Sequence, residues 1–117
     1  MKFKQKEIVL VPFPYSNLSS IKNRPVLILS NDNFNYSHND LLVAVITSKM
    51  YIDDYSVEID NNSLEYGILP EKSVIKTSKL FTVSKDIIIK KFSILKDEKF
   101  DEVIKKIGNP LLQIFNH

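Results

Sequence analysis

The sequence predicts a mostly β fold with a C-terminal helix: a small, curled, mostly antiparallel sheet or barrel of about six short strands. Three observations lead there. The first three quarters of the chain are short, β-branched apolar runs, too brief for helices. Between them lie segments rich in Pro, Asn, Asp and Ser, whose side chains and backbone limits favour turns. After Lys96 the apolar period lengthens to that of a helix. With 117 residues and 44% hydrophobic content, the chain 1–117 suits one core and one domain.

Ile8-Val9-Leu10-Val11 reads as the first strand, stopped by Pro12. Pro14 to Ser20 reads as a loop. Val26 to Leu29 is the second strand, begun by Pro25, where a missing N–H is tolerated. Asn31-Asp32-Asn33 ends it as a turn. Leu41 to Ile46 is the third strand, with Thr47-Ser48 at its end, and Tyr55 to Ile59 alternates as a half-buried fourth. Val74-Ile75 and Ile87-Ile88-Ile89 are the next apolar clusters. Phe100, Val103, Ile104, Ile107 and Leu111 then share one helical face. Asp97, Glu98, Asp101 and Glu102 suit the positive end of that helix dipole, and Gly108-Asn109-Pro110 should break or kink it.

Composition narrows the chemistry. The chain has no Cys, which excludes disulfides, thiolate metal sites and a Cys nucleophile. Two histidines, His38 and His117, without HxxxH spacing, argue against a zinc site, and two glycines exclude Gly-rich phosphate loops. No cofactor or metal is expected. No stretch reads as a signal peptide or membrane span, so a cytoplasmic protein without membrane attachment is expected. The net charge of +2 permits an anionic partner. Of sixteen basic residues only Arg24 is Arg. Its planar fork grips phosphate or carboxylate through two parallel hydrogen bonds, which Lys cannot copy.

Three blocks stand in order: Glu7-Ile8-Val9-Leu10-Val11-Pro12-Phe13; then, after a polar loop, Arg24-Pro25-Val26-Leu27-Ile28-Leu29-Ser30; then Val45-Ile46-Thr47-Ser48. With Ser73-Val74-Ile75-Lys76 and the terminal amphipathic helix, this pattern resembles the PemK/MazF family of toxins. The resemblance implies an SH3-like barrel of the MazF/PemK/CcdB toxin type and a homodimer. It also implies a metal-independent, sequence-selective endoribonuclease acting on single-stranded mRNA to inhibit growth. A cognate acidic antitoxin would neutralise it, in a complex that binds DNA.

In that chemistry the RNA 2′-OH attacks the adjacent phosphorus, leaving a 2′,3′-cyclic phosphate and a 5′-OH. The protein holds the nucleotide in line, neutralises phosphoryl charge and manages two protons. By similarity Arg24 supplies the guanidinium and Thr47 the catalytic hydroxyl, with Ser48 beside it. The first loop, with Tyr15, Asn17, Ser19 and Lys22, is suited to stack a base and bind phosphate, and Ser73 and Lys76 complete the expected substrate-binding set. The Lys-rich row Lys72, Lys76, Lys79 and Lys85 offers further backbone contacts. The chain departs from the family pattern at two places. Ser73 stands where some relatives carry Asp or Glu, leaving Glu71 or Lys76 as substitutes, and the first loop has no His. Histidine is a residue type that can serve as a general base, but the Asn/Asp-rich surroundings of His38 read as a turn. The other reading is a non-catalytic toxin of the same fold that acts by binding protein, as gyrase poisons do.

Overall fold

The structure is a computed structural model and describes residues 2–14 and 21–112. Six strands form one sheet: β1 (Glu7–Pro14), β2 (Ile21–Ile28), β3 (Asp40–Thr47), β4 (Ser56–Ile59), β5 (Ser73–Ser84) and β6 (Lys90–Ile94). Among the described residues two α-helices accompany the sheet, α1 (Asp32–Ser37) and α2 (Asp97–Leu112). The strand order is β4-β5-β3-β2-β1-β6, and each pair is antiparallel. The sheet curls toward closure: a bridge between Leu64 and Leu95 ties the segment after β4 to the end of β6. This is a half-barrel with a terminal helix.

Alternation of side chains sorts the apolar residues onto two faces. Ile8, Leu27, Ala44, Ile46, Val57 and Ile75 pack with Phe100 and Val103 of α2. Val9, Val11, Val26, Ile28, Leu41 and Val43 pack on the other face with Phe3, and Phe13 and Phe81 border them. Burying each Val, Leu, Ile or Phe of these faces stabilises by roughly 1.5–3 kcal/mol. Phe13 and Phe81 meet edge-on with ring centroids 5.5 Å apart, the arrangement that ring quadrupoles favour.

The prolines do not delimit the strands as the sequence suggested. β1 runs through Pro12 to Pro14, and β2 starts at Ile21 rather than at Pro25. Pro12 pairs with Asn23 beyond Leu10, the last residue of β1 paired to β6, and Pro25 lies just before the β2–β3 ladder begins at Val26. Each therefore sits where one side of its strand has no ladder to interrupt. The Asn31-Asp32-Asn33 turn is instead the start of α1: Asn31 caps it by accepting from the Phe34 N–H at 2.8 Å. β5 is far longer than Val74-Ile75, because cross-strand pairing carries it through polar residues. Ile87-Ile88-Ile89 is not a strand; Lys85–Ile87 form a 3-10 turn before β6.

In α2, Phe100 and Val103 are buried as expected, but Ile104 and Leu111 are exposed, so the buried stripe is narrower than the sequence pattern. Pro110 neither breaks the helix nor ends it. It lies two residues from the helix end, where its missing N–H removes one hydrogen bond of the last turn. Among the described residues no helix is long and apolar enough to cross a membrane.

Candidate nucleic-acid interface and active site

The second core face leads directly to the site. Val26 pairs with Val45 across the β2–β3 ladder. Two residues further on, strand alternation puts Arg24, within β2 just beyond its ladder with β3, and Thr47, the last residue of β3, on the same face. Both line one cavity of about 470 Å³, together with Phe13, Val45, Lys49, Tyr51, Asp53, Lys76, Ser78 and Lys79. Among the described residues four basic side chains face one carboxylate there, so the cavity favours an anion.

Local irregularity builds the far wall. Ala44 pairs with Leu80 but the next residue, Val45, pairs with Lys76, so Thr77, Ser78 and Lys79 bulge out of the β3–β5 ladder. A bulge of this kind re-aims side chains, and here it turns Ser78 and Lys79 into the cavity. The Thr77 N–H donates to the Tyr55 carbonyl at 3.0 Å, and the Thr77 hydroxyl donates to the same oxygen. The bulge is thereby fixed to the loop that follows β3.

That loop, residues 48–55, is held by a chain of polar contacts. The Lys76 ammonium is buried and donates to the Tyr51 carbonyl and, at 3.3 Å, to Ser56 Oγ. Ser56 Oγ donates in turn to Asp53 Oδ1 at 2.8 Å, and the Tyr55 N–H donates to the same oxygen at 2.9 Å. The Ser56 hydroxyl, the Tyr55 amide and the nearby Lys76 charge hold the Asp53 carboxyl below the usual carboxylate range. Thr47 Oγ1 accepts from the Lys49 N–H at 3.2 Å. A hydroxyl has one proton and two lone pairs, so this bond leaves its O–H and one lone pair for a ligand.

Ser48 points to the other side of the strand end. It lines a second cavity of about 330 Å³ with Lys22, Asn23, Arg24, Glu71 and Ser73. Arg24 borders both cavities and is the hinge of the whole constellation. The Ser73 hydroxyl is buried and donates to the Glu71 carbonyl at 3.1 Å. The structure thus gathers Arg24, Thr47 and Lys76 in one cavity, and Arg24, Lys22, Ser48 and Ser73 in the other. Tyr15, Asn17 and Ser19 lie outside the described residues.

The Lys-rich row is not one face. Lys76 and Lys79 line the first cavity; Lys72 lines a third, of about 380 Å³, shared with Glu58, Asp60, Glu98 and Glu102; Lys85 lies at the opposite end of the sheet. His38 is remote as well. Its ring stacks on Phe34 at 3.9 Å between centroids, and Nδ1 lies 2.9 Å from Ser37 Oγ and 3.1 Å from the Phe34 carbonyl. It caps α1 before β3 begins, as a turn residue would. Sequence reading missed Lys49, Tyr51 and Asp53. The available signal was an aromatic flanked by charge directly after Thr47-Ser48, at the end of a strand. Among the described residues no three His, Asp or Glu side chains cluster as a metal site.

The curled six-stranded sheet with its terminal helix is shared with known structures. An endoribonuclease from a mycobacterial species, solved with its cognate antitoxin, matches with a TM-score of 0.77 at 14% identity, over 93% of this chain and 94% of that one. The MazE–MazF complex of Deinococcus radiodurans matches with a TM-score of 0.77 at 15% identity, over 95% and 97%. The toxin MazF-mt6 of Mycobacterium tuberculosis gives 0.69 at 20% identity, over 88% and 95%. No curated protein sequence matches the chain. The chain belongs to the family of PemK-like, MazF-like toxins of type II toxin–antitoxin systems, whose model matches residues 4–110.

Proposed function

We propose that the protein is a metal-independent endoribonuclease that cuts single-stranded mRNA, with Arg24 and Thr47 as its catalytic residues. One observation carries this reading: Arg24 and Thr47 line a single cavity in which basic side chains outnumber carboxylates four to one. The scissile phosphate sits between them. The 2′-oxygen bonds to phosphorus as the P–O5′ bond breaks; one proton leaves the 2′-OH and another reaches the 5′-oxygen. The Arg24 guanidinium neutralises the developing charge on the phosphoryl oxygens. The Thr47 hydroxyl donates to one of those oxygens while its remaining lone pair accepts from the 2′-OH. Lys79 holds the flanking backbone while Lys76 orders the loop beside it, and Lys22, Ser48 and Ser73 take the strand into the second cavity.

The protein works in the cytoplasm as a homodimer. Support comes from Tyr66 and Ile68, large and exposed, next to Leu69 and Pro70 at the second cavity; apolar surface of this kind marks a protein contact. An acidic antitoxin segment fits the same cationic site and competes with RNA.

The test is incubation of purified protein with a long RNA in EDTA, followed by analysis of the ends. Fragments carrying 2′,3′-cyclic phosphate and 5′-OH are expected, and a 2′-deoxy nucleotide at the cut position should block cleavage. Cleavage of DNA, or loss of activity on chelation, would overturn the mechanism.

A further inference from the structure

The loop after β3 exposes an aromatic ring at the rim of the Arg24–Thr47 cavity. Tyr51 is 76% exposed, and its neighbours Met50 and Ile52 are exposed as well. Beneath the ring lies Lys76, only 9% exposed, with its ammonium 5.2 Å from the ring centroid. Burying a lysine is costly unless its charge is well bonded. Here the charge is used on the Tyr51 carbonyl, the Tyr51 ring and the Ser56 hydroxyl. Asp53 anchors the same loop through Ser56 and the Tyr55 amide. The ring is therefore ordered from below while most of its surface faces solvent. That combination has no packing purpose, since the ring covers little of the core.

We propose that Tyr51 is a base-stacking platform that receives an unpaired RNA base next to the phosphate held by Arg24 and Thr47. The inference rests on the RNA-cleaving reading above and adds a recognition element to it. The cavity's size falls in the roughly 300–1,000 Å³ range of ligand pockets, enough for one nucleotide. A phosphate drawn to Arg24 and Lys79 brings its base to the cavity rim, where Tyr51 stands. A platform already ordered by Lys76 binds without the cost of fixing a mobile side chain. Stacking is tolerant of base identity, because every base has a π-face. Tyr51 therefore contributes affinity, and sequence choice comes from other contacts.

The probe is a pool of short random-sequence RNAs, 2′-O-methylated throughout, which the proposed chemistry does not cut. Tyr51→Ala should weaken binding by about 5- to 150-fold, the range for loss of a stacked base. Tyr51→Phe and Tyr51→Trp should bind like the native protein, since either ring can stack. A matched pool of abasic strands should bind the native protein and Tyr51→Ala equally. Equal affinity of the two proteins for the base-carrying pool would overturn the proposal, as would an equal loss on the abasic pool. A Tyr51→Ala protein that keeps its RNA affinity but loses a protein partner would overturn it in favour of a docking role. Failure of the native protein to cut unmodified RNA while binding the pool would sink the nuclease reading alone, and Tyr51 would still be judged by the binding ratio. Failure to bind either pool would overturn both.

Discussion

The two ends of β3 stand roughly 23 Å apart by strand rise and put polar residues to different use. At the Asp40 end, polar groups close on one another. Ser30 Oγ donates to Asn35 Oδ1 at 2.5 Å, Asn35 Nδ2 donates to the Ser30 carbonyl at 2.8 Å, and the Leu42 N–H donates to Ser30 Oγ at 3.1 Å. Lys85 donates to the Asn35 carbonyl, and His38 is occupied by Phe34 and Ser37. At the Thr47 end, positive charge is gathered around a cavity and outnumbers its one carboxylate. The first end holds the fold together by satisfying its own donors and acceptors. The second concentrates charge, which favours an anionic ligand. Substitutions at the two ends should therefore fail in different ways.

The largest effect is expected at Arg24. Arg24→Lys keeps the charge but loses the fork, and loss of a preorganised donor costs on the order of 10²–10³ in rate. Cleavage of a mapped oligonucleotide should fall by that factor, with an unchanged circular dichroism spectrum. Full activity in a folded Arg24→Lys protein would remove the basis for the catalytic assignment. Thr47→Val keeps the β-branched shape and deletes the hydroxyl. A hydrogen bond to a charged group is typically worth 1.5–3 kcal/mol, so the rate should drop about 10- to 150-fold. A change in KM alone, with kcat intact, would show that Thr47 binds without acting in the transition state.

The other end should answer in stability. Asn35→Ala leaves the buried Ser30 groups without their partner and should cost about 1–3 kcal/mol in denaturant unfolding. Its kcat/KM for RNA, measured below the unfolding transition, should stay native. His38→Gln tests the same contrast more gently: an exposed change of this sort shifts stability by less than about 0.5 kcal/mol. A collapse of cleavage in His38→Gln would make the far end part of the machinery and break the contrast.

Legibility in the sequence followed the same divide. Arg24 and Thr47 could be found because each sits inside a recognisable block, and alternation along two adjacent strands then puts them together. Lys76 was found as a residue, but its burial was not, because a lysine among apolar neighbours usually reads as exposed. Tyr51 and Asp53 were missed since their role depends on the bulge at Thr77-Ser78-Lys79, which no local pattern marks. The strand limits were misjudged at Pro12 and Pro25 because a proline's cost depends on which edge of the strand is paired. α1 was missed because Asn and Asp serve equally as turn formers and as helix caps.

The smallest expected effect concerns pH at the loop after β3. The Asp53 carboxyl is held below its usual value near 3.8, first by the Ser56 hydroxyl and then by the Tyr55 amide. A depressed folded pKa means the contacts are complete above the unfolded value and are lost as pH falls through the lower folded one. Between pH 5 and 8 the loop should therefore not respond to Asp53 at all. Because Asp53 is exposed, solvent screens the pair and little global stability depends on it. The reporter is the Tyr55 amide proton, which donates to Asp53 Oδ1. Its chemical shift should titrate with a midpoint below 3.8 and should lose that transition in Asp53→Asn. A midpoint at or above 3.8 would mean that Ser56 and Tyr55 do not hold the carboxylate, and that the loop carrying Tyr51 is anchored by Lys76 and Thr77 instead.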